Sequence, residues 1–339
     1  QVVSRVPPPP VPLPDLPVRA VLPGVARCLG DNRPVVLQAP PGTGKTLLVA
    51  PSLLDAPWLE GRRILLLEPR RLAARAAARF MARLFGESVG GRVGYQVRLD
   101  RQVSAATRIE ILTEGLLVQR LLNDPGLADT GLVIFDEFHE RNLPSDLAFA
   151  LTLDMRAALR PDLRLVVMSA TLDAEPVAQH IGRDTAVITA DARTWPVETH
   201  YLERPADDRP APLLVAQAVV RALEAHAEGG ILAFLPGEGE IRRAAALLQD
   251  WRLPGNVDLH PLFGALPRQA QDAAVEPALP GRRKVVLATS IAESSLTIRD
   301  IRIVIDGGWM RVPRFSVRNG MSRLATLRVT RDRADQRRG

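Results

Sequence analysis

From residue 18 onward, the apolar positions of this chain fall into short unbroken runs. Longer stretches that mix apolar and polar residues separate them. The runs at residues 35–38, 64–68, 108–112, 132–135 and 163–168 predict strands buried on both faces. The stretch opening at Lys45-Thr46-Leu47-Leu48 predicts a helix, and so does the alanine- and arginine-rich run at 72–85. Continuous apolar strands alternating with helices predict an α/β fold with mainly parallel sheets. The alternation breaks at residues 203–210, where charges and prolines predict a linker. It resumes with strands at 231–235, 284–288 and 301–305, a second α/β unit. Residues 311–317 and 322–329 flank Asn319-Gly320, the dipeptide that most strongly favours a hairpin turn. An arginine-bearing β-hairpin is therefore expected in the second unit.

Ahead of these runs, Pro7 to Pro10 with Pro12, Pro14 and Pro17 predict an extended tail. The expected organisation is a tail at 1–17, a first domain at 18–203, a linker at 204–210 and a second domain at 211–339. No short-period repeat interrupts it.

Composition narrows the class. Hydrophobic residues are 46% of the 339 and charged residues 24%, so sizeable cores can form and a disordered or fibrous chain is excluded. The net charge is +6, and it fits an anionic partner and a solvated surface equally well. Among the cations, only Lys45 and Lys284 are lysines. A lysine kept where arginine is used almost everywhere suggests that a guanidinium would not serve there. The single cysteine, Cys28, allows neither an internal disulfide nor a cysteine zinc cluster, which fits a reducing compartment and a cytoplasmic setting. No run of about 18 apolar residues is present, so no membrane span is expected. The first residue is Gln1, and the native start is expected to lie elsewhere.

Two segments carry chemistry. Ala39-Pro40-Pro41-Gly42-Thr43-Gly44-Lys45-Thr46 has the spacing of a phosphate-binding loop between a strand and a helix. Pro41, Gly42, Thr43 and Gly44 would wrap the phosphates with backbone amides at a helix N-terminus. Lys45 would meet the outer phosphates, and the Thr46 hydroxyl would ligate magnesium. Downstream, the apolar run 132–135 ends in Asp136-Glu137-Phe138-His139. Adjacent carboxylates there can divide the work: Asp136 in the magnesium shell with Glu137 beside it, and Glu137 orienting and activating the attacking water.

With these segments in hand, the chain resembles the core of the DEAH-box RNA helicases of superfamily 2. Phe138 in the third box position, followed by Glu140-Arg141, is similar to the bacterial HrpB-type branch. Glu68-Pro69-Arg70-Arg71 resembles motif Ia of that family. Gly94 to Arg98 and Thr113-Glu114-Gly115 resemble its next two nucleic-acid-contacting segments. Ser169-Ala170-Thr171 resembles motif III, Phe234 to Gly237 motif IV, and Ala288 to Ile298 motif V. The likeness runs from about residue 18 to residue 339.

The resemblance implies two tandem RecA-like P-loop domains, with ATP or another NTP as substrate and Mg2+ as cofactor. It implies 3′ to 5′ movement along single-stranded RNA by a monomer, with DNA as the alternative strand. It assigns catalytic work to Lys45, Asp136, Glu137, His139 and Gln336. Ser169 and Thr171 would couple hydrolysis to domain movement. Arg70, Arg71, Arg98, Thr113, Gly237, Thr289 and Ser290 would touch the RNA backbone. Arg79 or Phe80 would face the nucleotide base. Val275 stands about where relatives have an aromatic on the base's other side, so weak discrimination among NTPs is expected.

Gln336-Arg337-Arg338-Gly339 resembles only the opening of motif VI. The family's arginine fingers follow that point. The sequence-based expectation is that the second domain is incomplete in this chain, and that the chain binds nucleotide but hydrolyses it poorly. A nucleotide-dependent RNA clamp or assembly factor, or a DNA helicase, stay open as alternatives.

Overall fold

The computed structural model describes residues 13–170, 174–191, 196–202, 210–293 and 298–338. The proline run at 7–10, Thr171, most of the expected linker, Ser294 to Thr297 and Gly339 lie outside the described residues. The chain forms two compact units, Gln1–Thr194 and Trp195–Gly339.

In the first unit the strands are β1 (Val35–Gln38), β2 (Arg63–Leu67), β3 (Val93–Val97), β4 (Asp100–Gln102), β5 (Ile109–Leu112), β6 (Thr130–Phe135), β7 (Arg164–Ser169) and β8 (Ala186–Thr189). The helices are α1 (Leu22–Gly30), α2 (Lys45–Ser52), α3 (Arg71–Leu84), α4 (Glu114–Asn123), α5 (Leu143–Ala158) and α6 (Ala174–Ile181). The eight strands form one sheet in the order β4-β3-β5-β2-β6-β7-β1-β8. Every neighbouring pair is parallel except β3 with β4. Its central strands are buried on both faces, as their unbroken apolar runs require. One core layer packs Val35, Leu37, Ile64, Leu66 and Ile134 with α1, α2 and α3. The other packs Val36, Leu65, Val133, Phe135 and Val167 with α4, α5 and α6. Leu13 and Leu16 also pack against the first layer.

The second unit holds α7 (Ala211–Ala225), β9 (Gly230–Phe234), α8 (Glu238–Asp250), β10 (Val257–Leu262), α9 (Arg268–Val275), β11 (Arg283–Ala288), β12 (Ile301–Asp306), β13 (Trp309–Ser316), β14 (Met321–Arg328) and α10 (Arg331–Arg338). Its sheet, β10-β11-β9-β12, is parallel throughout. β13 and β14 form the expected hairpin, paired from Trp309↔Arg328 to Ser316↔Met321, with Asn319-Gly320 at the turn. Two α/β units with mainly parallel sheets, the second carrying a hairpin, are thus what the apolar pattern predicted.

Both lysines are buried. The ammonium of Lys284 donates to the carbonyls of Ala273, at 3.3 Å, Ala274, at 3.1 Å, and Glu276, closing the C-terminal end of α9. A compact ammonium with three donors suits converging carbonyls; a planar fork does not. We expect Lys284→Met to destabilise the second unit by about 1–3 kcal/mol, because buried carbonyls lose their donor. Urea unfolding of wild type and variant checks this, and equal midpoints would refute it.

Many arginines serve the same kind of structural end. Arg160 donates to the carbonyls of Gly126, Leu127 and Thr130, and Arg283 to those of Gly229 and His226. Part of the positive balance is therefore spent inside the fold rather than on a partner.

Candidate functional site

Parallel strands send their following loops to one edge of the sheet, where open α/β proteins bind ligands. In the first unit the strand order lines these loops up. The segment after β3 carries Arg98. The segment after β5 carries Thr113, that after β2 carries Glu68, Arg70 and Arg71, and that after β6 carries Asp136 to His139. β7 ends at Ser169, and β1 leads into the glycine loop. The expected nucleic-acid contacts and the expected nucleotide contacts are consecutive stretches of one crest.

At the nucleotide end, the loop leaves β1 with the Ala39 amide donating to the Ser169 carbonyl at 2.8 Å. Ser169 thus anchors the loop's base. Gly42 and Gly44 take φ +78° and +85°. A side chain at Gly44 would also press on Leu16, 2.6 Å from its Cδ1, so glycine is required twice over. Thr43 turns its hydroxyl inward to the Pro40 carbonyl, at 2.8 Å. α2 begins at Lys45 with no side-chain cap, which leaves its first amides for an anion.

Lys45, Thr46, Asp136 and Glu137 are all buried and mutually in contact. The Lys45 ammonium lies 2.9 Å from Glu137 Oε1. The Thr46 hydroxyl donates to Asp136 Oδ2, and the Glu137 amide donates to Asp136 Oδ1 at 2.8 Å. Burial disfavours the Lys45 ammonium, yet Glu137 and Asp136 outweigh it and hold its pKa above the ordinary value. Burial and the neighbouring Glu137 push the Asp136 carboxyl up to about 7. Glu68, fully buried behind them, is pushed well above the carboxylate range by burial and then by Asp136, Glu137 and Glu140. Two buried carboxyls, Asp136 and Glu137, against one ammonium make a pocket short of positive charge, with Glu68 outside it. A small divalent cation against Thr46 Oγ1 and Asp136 answers that shortage. Among the described residues no group of three or more His, Cys, Asp or Glu is arranged to hold a metal by itself.

Glu137 sits at φ +49°, a left-handed conformation that aims its carboxylate back toward Lys45. Burial, then Lys45, lower the pKa of His139 against the opposing pull of Glu137, so the imidazole is neutral at pH 7. Its Nε2 is 3.3 Å from Glu137 Oε2, and its Nδ1 accepts from the Ala170 amide at 3.4 Å. The tautomer that satisfies both contacts carries its proton on Nε2. His139 therefore joins Glu137 to the segment after β7. Phe138 is buried against Phe149 and Phe135, with ring centroids 4.8 and 6.1 Å away, which gives the bulky third position of the box a packing role.

Arg70 and Thr113 flank the N-termini of α3 and α4, Arg71 opens α3, and Arg98 is exposed at the β3–β4 turn beside Leu99. Arg70 pairs with Glu140 at 3.3 Å. Arg79 and Phe80 lie half-buried on α3, and Phe80 packs against the first core layer. Thr171 lies outside the described residues.

In the second unit, Thr289 and Ser290 follow β11, and Gly237 follows its neighbour β9, so these three share a crest as well. Val275 is buried at the end of α9. Gln336 lies on α10, one residue before Arg337. Arg337 is buried. It donates to Glu293 at 2.8 and 2.5 Å, reaches Asp306 at 2.5 Å, and lies over the Phe234 ring at 4.7 Å. Arg333 also pairs with Glu293, at 2.6 Å. Glu293 had a sequence signal, an acid directly after the Ser-Ile-Ala run that follows β11, but nothing in one dimension names its partner.

Gly237 has a second constraint. The guanidinium of Arg311, from β13, occupies the space a side chain would need and pairs with Glu240 at 2.9 Å. Gly237→Ala is therefore expected to dislodge Arg311 and loosen the hairpin root. Because that pair is partly exposed, stability should fall by no more than about 1 kcal/mol. Trypsin cleavage after Arg314, Arg318 and Arg323 should become several-fold faster, and an unchanged cleavage rate would sink the idea.

Two helicase family models match most of the chain. The DEAD/DEAH box helicase family matches residues 23–180, and the helicase conserved C-terminal domain matches residues 215–334. The chain is 46% identical over 324 residues to the ATP-dependent RNA helicase HrpB of Escherichia coli K12, covering 96% of this chain and 39% of that protein. It is 34% identical over 315 residues to the ATP-dependent RNA helicase HrpA homolog of Haemophilus influenzae, covering 93% of this chain and 24% of that protein. A crystal structure of the E. coli DEAH/RHA helicase HrpB superposes with a TM-score of 0.87 over 96% of this chain and 41% of that one, at 46% identity. A structure of the E. coli DExH-box NTPase HrpB superposes at 0.77, covering 96% and 40% at the same identity. The chain thus spans about 39% of the length of HrpB.

Proposed function

The chain belongs to the DEAD/DEAH box helicases, in their DEAH branch, and from that premise we propose that it is the NTP-dependent engine of an RNA helicase. It would convert hydrolysis of ATP or another NTP into 3′ to 5′ movement along single-stranded RNA. One observation carries the reading: the buried Lys45–Glu137–Asp136–Thr46 cluster and the row Arg98, Thr113, Arg70 and Arg71 are consecutive on one crest. The HrpB likeness supports RNA as the strand. Backbone contacts of this kind hold a strand without reading its sequence.

The chain's own groups divide the chemistry. Lys45 and the first amides of α2 bind the outer phosphates. As the phosphate draws the ammonium, Glu137 is freed to accept a proton from the attacking water, and His139 keeps its carboxylate oriented. Thr46 and Asp136 would hold magnesium, which would supply charge neutralisation at the phosphates. Ser169, with Thr171, couples this site to movement. In the second unit, Gln336 has a catalytic role, and Gly237, Thr289 and Ser290 contact RNA. The chain binds NTP at this cluster. It acts as a monomer in the cytoplasm; no helix among the described residues is long and apolar enough to cross a membrane.

The deciding experiment compares single-stranded RNA and DNA as stimulators of phosphate release, with GTP, CTP and UTP as competitors of ATP. RNA should stimulate and DNA should not, and the four NTPs should compete within about tenfold of one another, since no aromatic occupies position 275. Equal stimulation by DNA would favour a DNA helicase. Tight nucleotide-dependent RNA binding without turnover in any form of the protein would favour a clamp.

A further inference from the structure

One buried group has no part in the chemistry above. Glu68 follows β2 on the crest, where its amide donates to the Leu112 carbonyl at 2.9 Å. The preceding carbonyl, of Leu67, accepts from the Asp136 amide at 3.0 Å. Glu68 is thus the crest residue between Thr113 on one side and Asp136 on the other. Its exposure is 0%. Oε1 accepts from the Arg70 amide at 3.3 Å, and Oε2 has no hydrogen-bond partner among the described residues. A buried carboxyl with an unsatisfied oxygen costs stability, and an apolar side chain would complete a strand end of this kind more cheaply. Its surroundings are lopsided: the negative charges of Asp136, Glu137 and Glu140 act on it, and among the described residues its hydrogen-bond donor is the Arg70 backbone. Glu140, three residues beyond Glu137, grips the Arg70 side chain as well. The start of α3 is therefore tied to Glu68 through its backbone and to Glu140 through its side chain.

Resting on the reading that Asp136 faces a magnesium nucleotide and Arg70 a nucleic-acid strand, we infer that Glu68 is the positioning residue that couples the two sites. A change of charge or position at Asp136 moves the Glu68 carboxyl, and with it the amide that sets the first turn of α3. The coupling runs equally in the other direction, since linkage between two ligands is reciprocal. Glu68 acts through Asp136 and Arg70 and touches neither ligand.

The test reads binding rather than turnover. The affinity of the 339-residue chain for a fluorescent N-methylanthraniloyl ATP analogue with magnesium is measured with and without a short oligouridylate. Wild type should show a coupling of about 5-fold or more. Glu68→Met fills the volume without offering an acceptor. It should bring the coupling to within twofold of unity while each ligand alone binds within about threefold of wild type. Glu68→Ala gives the same reading should the Met variant melt early. Glu68→Gln keeps an acceptor for the Arg70 amide and should restore the coupling. Coupling that survives both Glu68→Met and Glu68→Ala overturns this inference alone. So does a parallel loss of both affinities, or a Gln variant no better than Met. Absence of coupling in the wild-type chain overturns the inference together with the reading it rests on.

Discussion

Glu137→Gln should bind NTP as tightly as the wild-type chain, or more tightly, and lose turnover by a factor of about 10² to 10⁴. The two halves of this result have separate causes. Without nucleotide, the Lys45 ammonium is held 2.9 Å from Glu137 Oε1 in a buried pair. A phosphate must take that ammonium from Glu137. An amide competes less well than a carboxylate, so binding is preserved or improved. Turnover needs a base, and an amide accepts no proton. The geometry is otherwise conserved, because the His139 Nε2 contact and the Glu137 amide bond to Asp136 survive the exchange of one oxygen for nitrogen. Single-turnover assays with enzyme in excess measure the chemical step even when it is slow, and a fluorescent nucleotide measures affinity. A variant that hydrolyses within tenfold of wild type would remove Glu137 from its role. One that fails to bind would mean that Glu137 builds the pocket rather than working in it.

Arg337→Ala should cost the second unit about 3–5 kcal/mol, the range for removing one partner of a buried ion pair. That is a large part of the total for a domain, about 5–15 kcal/mol. Arg337 is all but fully buried, and its guanidinium serves Glu293, Asp306 and the Phe234 ring together. Its loss strands the buried Glu293 carboxylate, for which Arg333 at 2.6 Å compensates in part. The lower half of the range is therefore the expected result. Arg337→Lys keeps the charge and loses the fork, so it should fall between. In Glu293→Gln with Arg337→Ala, the combined loss should be smaller than the sum, because the second change removes the stranded charge. Urea unfolding followed by tryptophan fluorescence gives all four values. A loss below about 1 kcal/mol for Arg337→Ala would mean that the cluster is solvated and the helix only loosely seated.

How much was legible beforehand follows from burial. Strands β1, β2, β5, β6 and β7 lie inside the sheet, must be apolar on both faces, and so announce themselves as unbroken runs. β8 and β10 lie at sheet edges and are only partly buried. Their sequences carry polar residues, and β10 includes Pro261, which an edge strand tolerates, so no run marked them. The hairpin was legible because Asn319-Gly320 is a local signal that needs no distant partner. Lys45 and Lys284 were marked alike as rare lysines. Only packing separates them: one meets Glu137, the other ends a helix.

The sequence by itself determined the parts whose physics is local: the glycine loop with Lys45 and Thr46, the adjacent Asp136 and Glu137, the alternation of buried strands with helices, and the turn. Whether two such parts become neighbours is decided by strand order, which long-range packing sets and no local pattern encodes. The order β3-β5-β2-β6-β7-β1 put Arg98, Thr113 and Arg70 in line with Asp136 and the glycine loop. It also left Glu68 buried between them, and packing in the second unit turned Arg337 inward onto Glu293. Burial is what gives those two residues their energies, and burial is a property of the assembled structure.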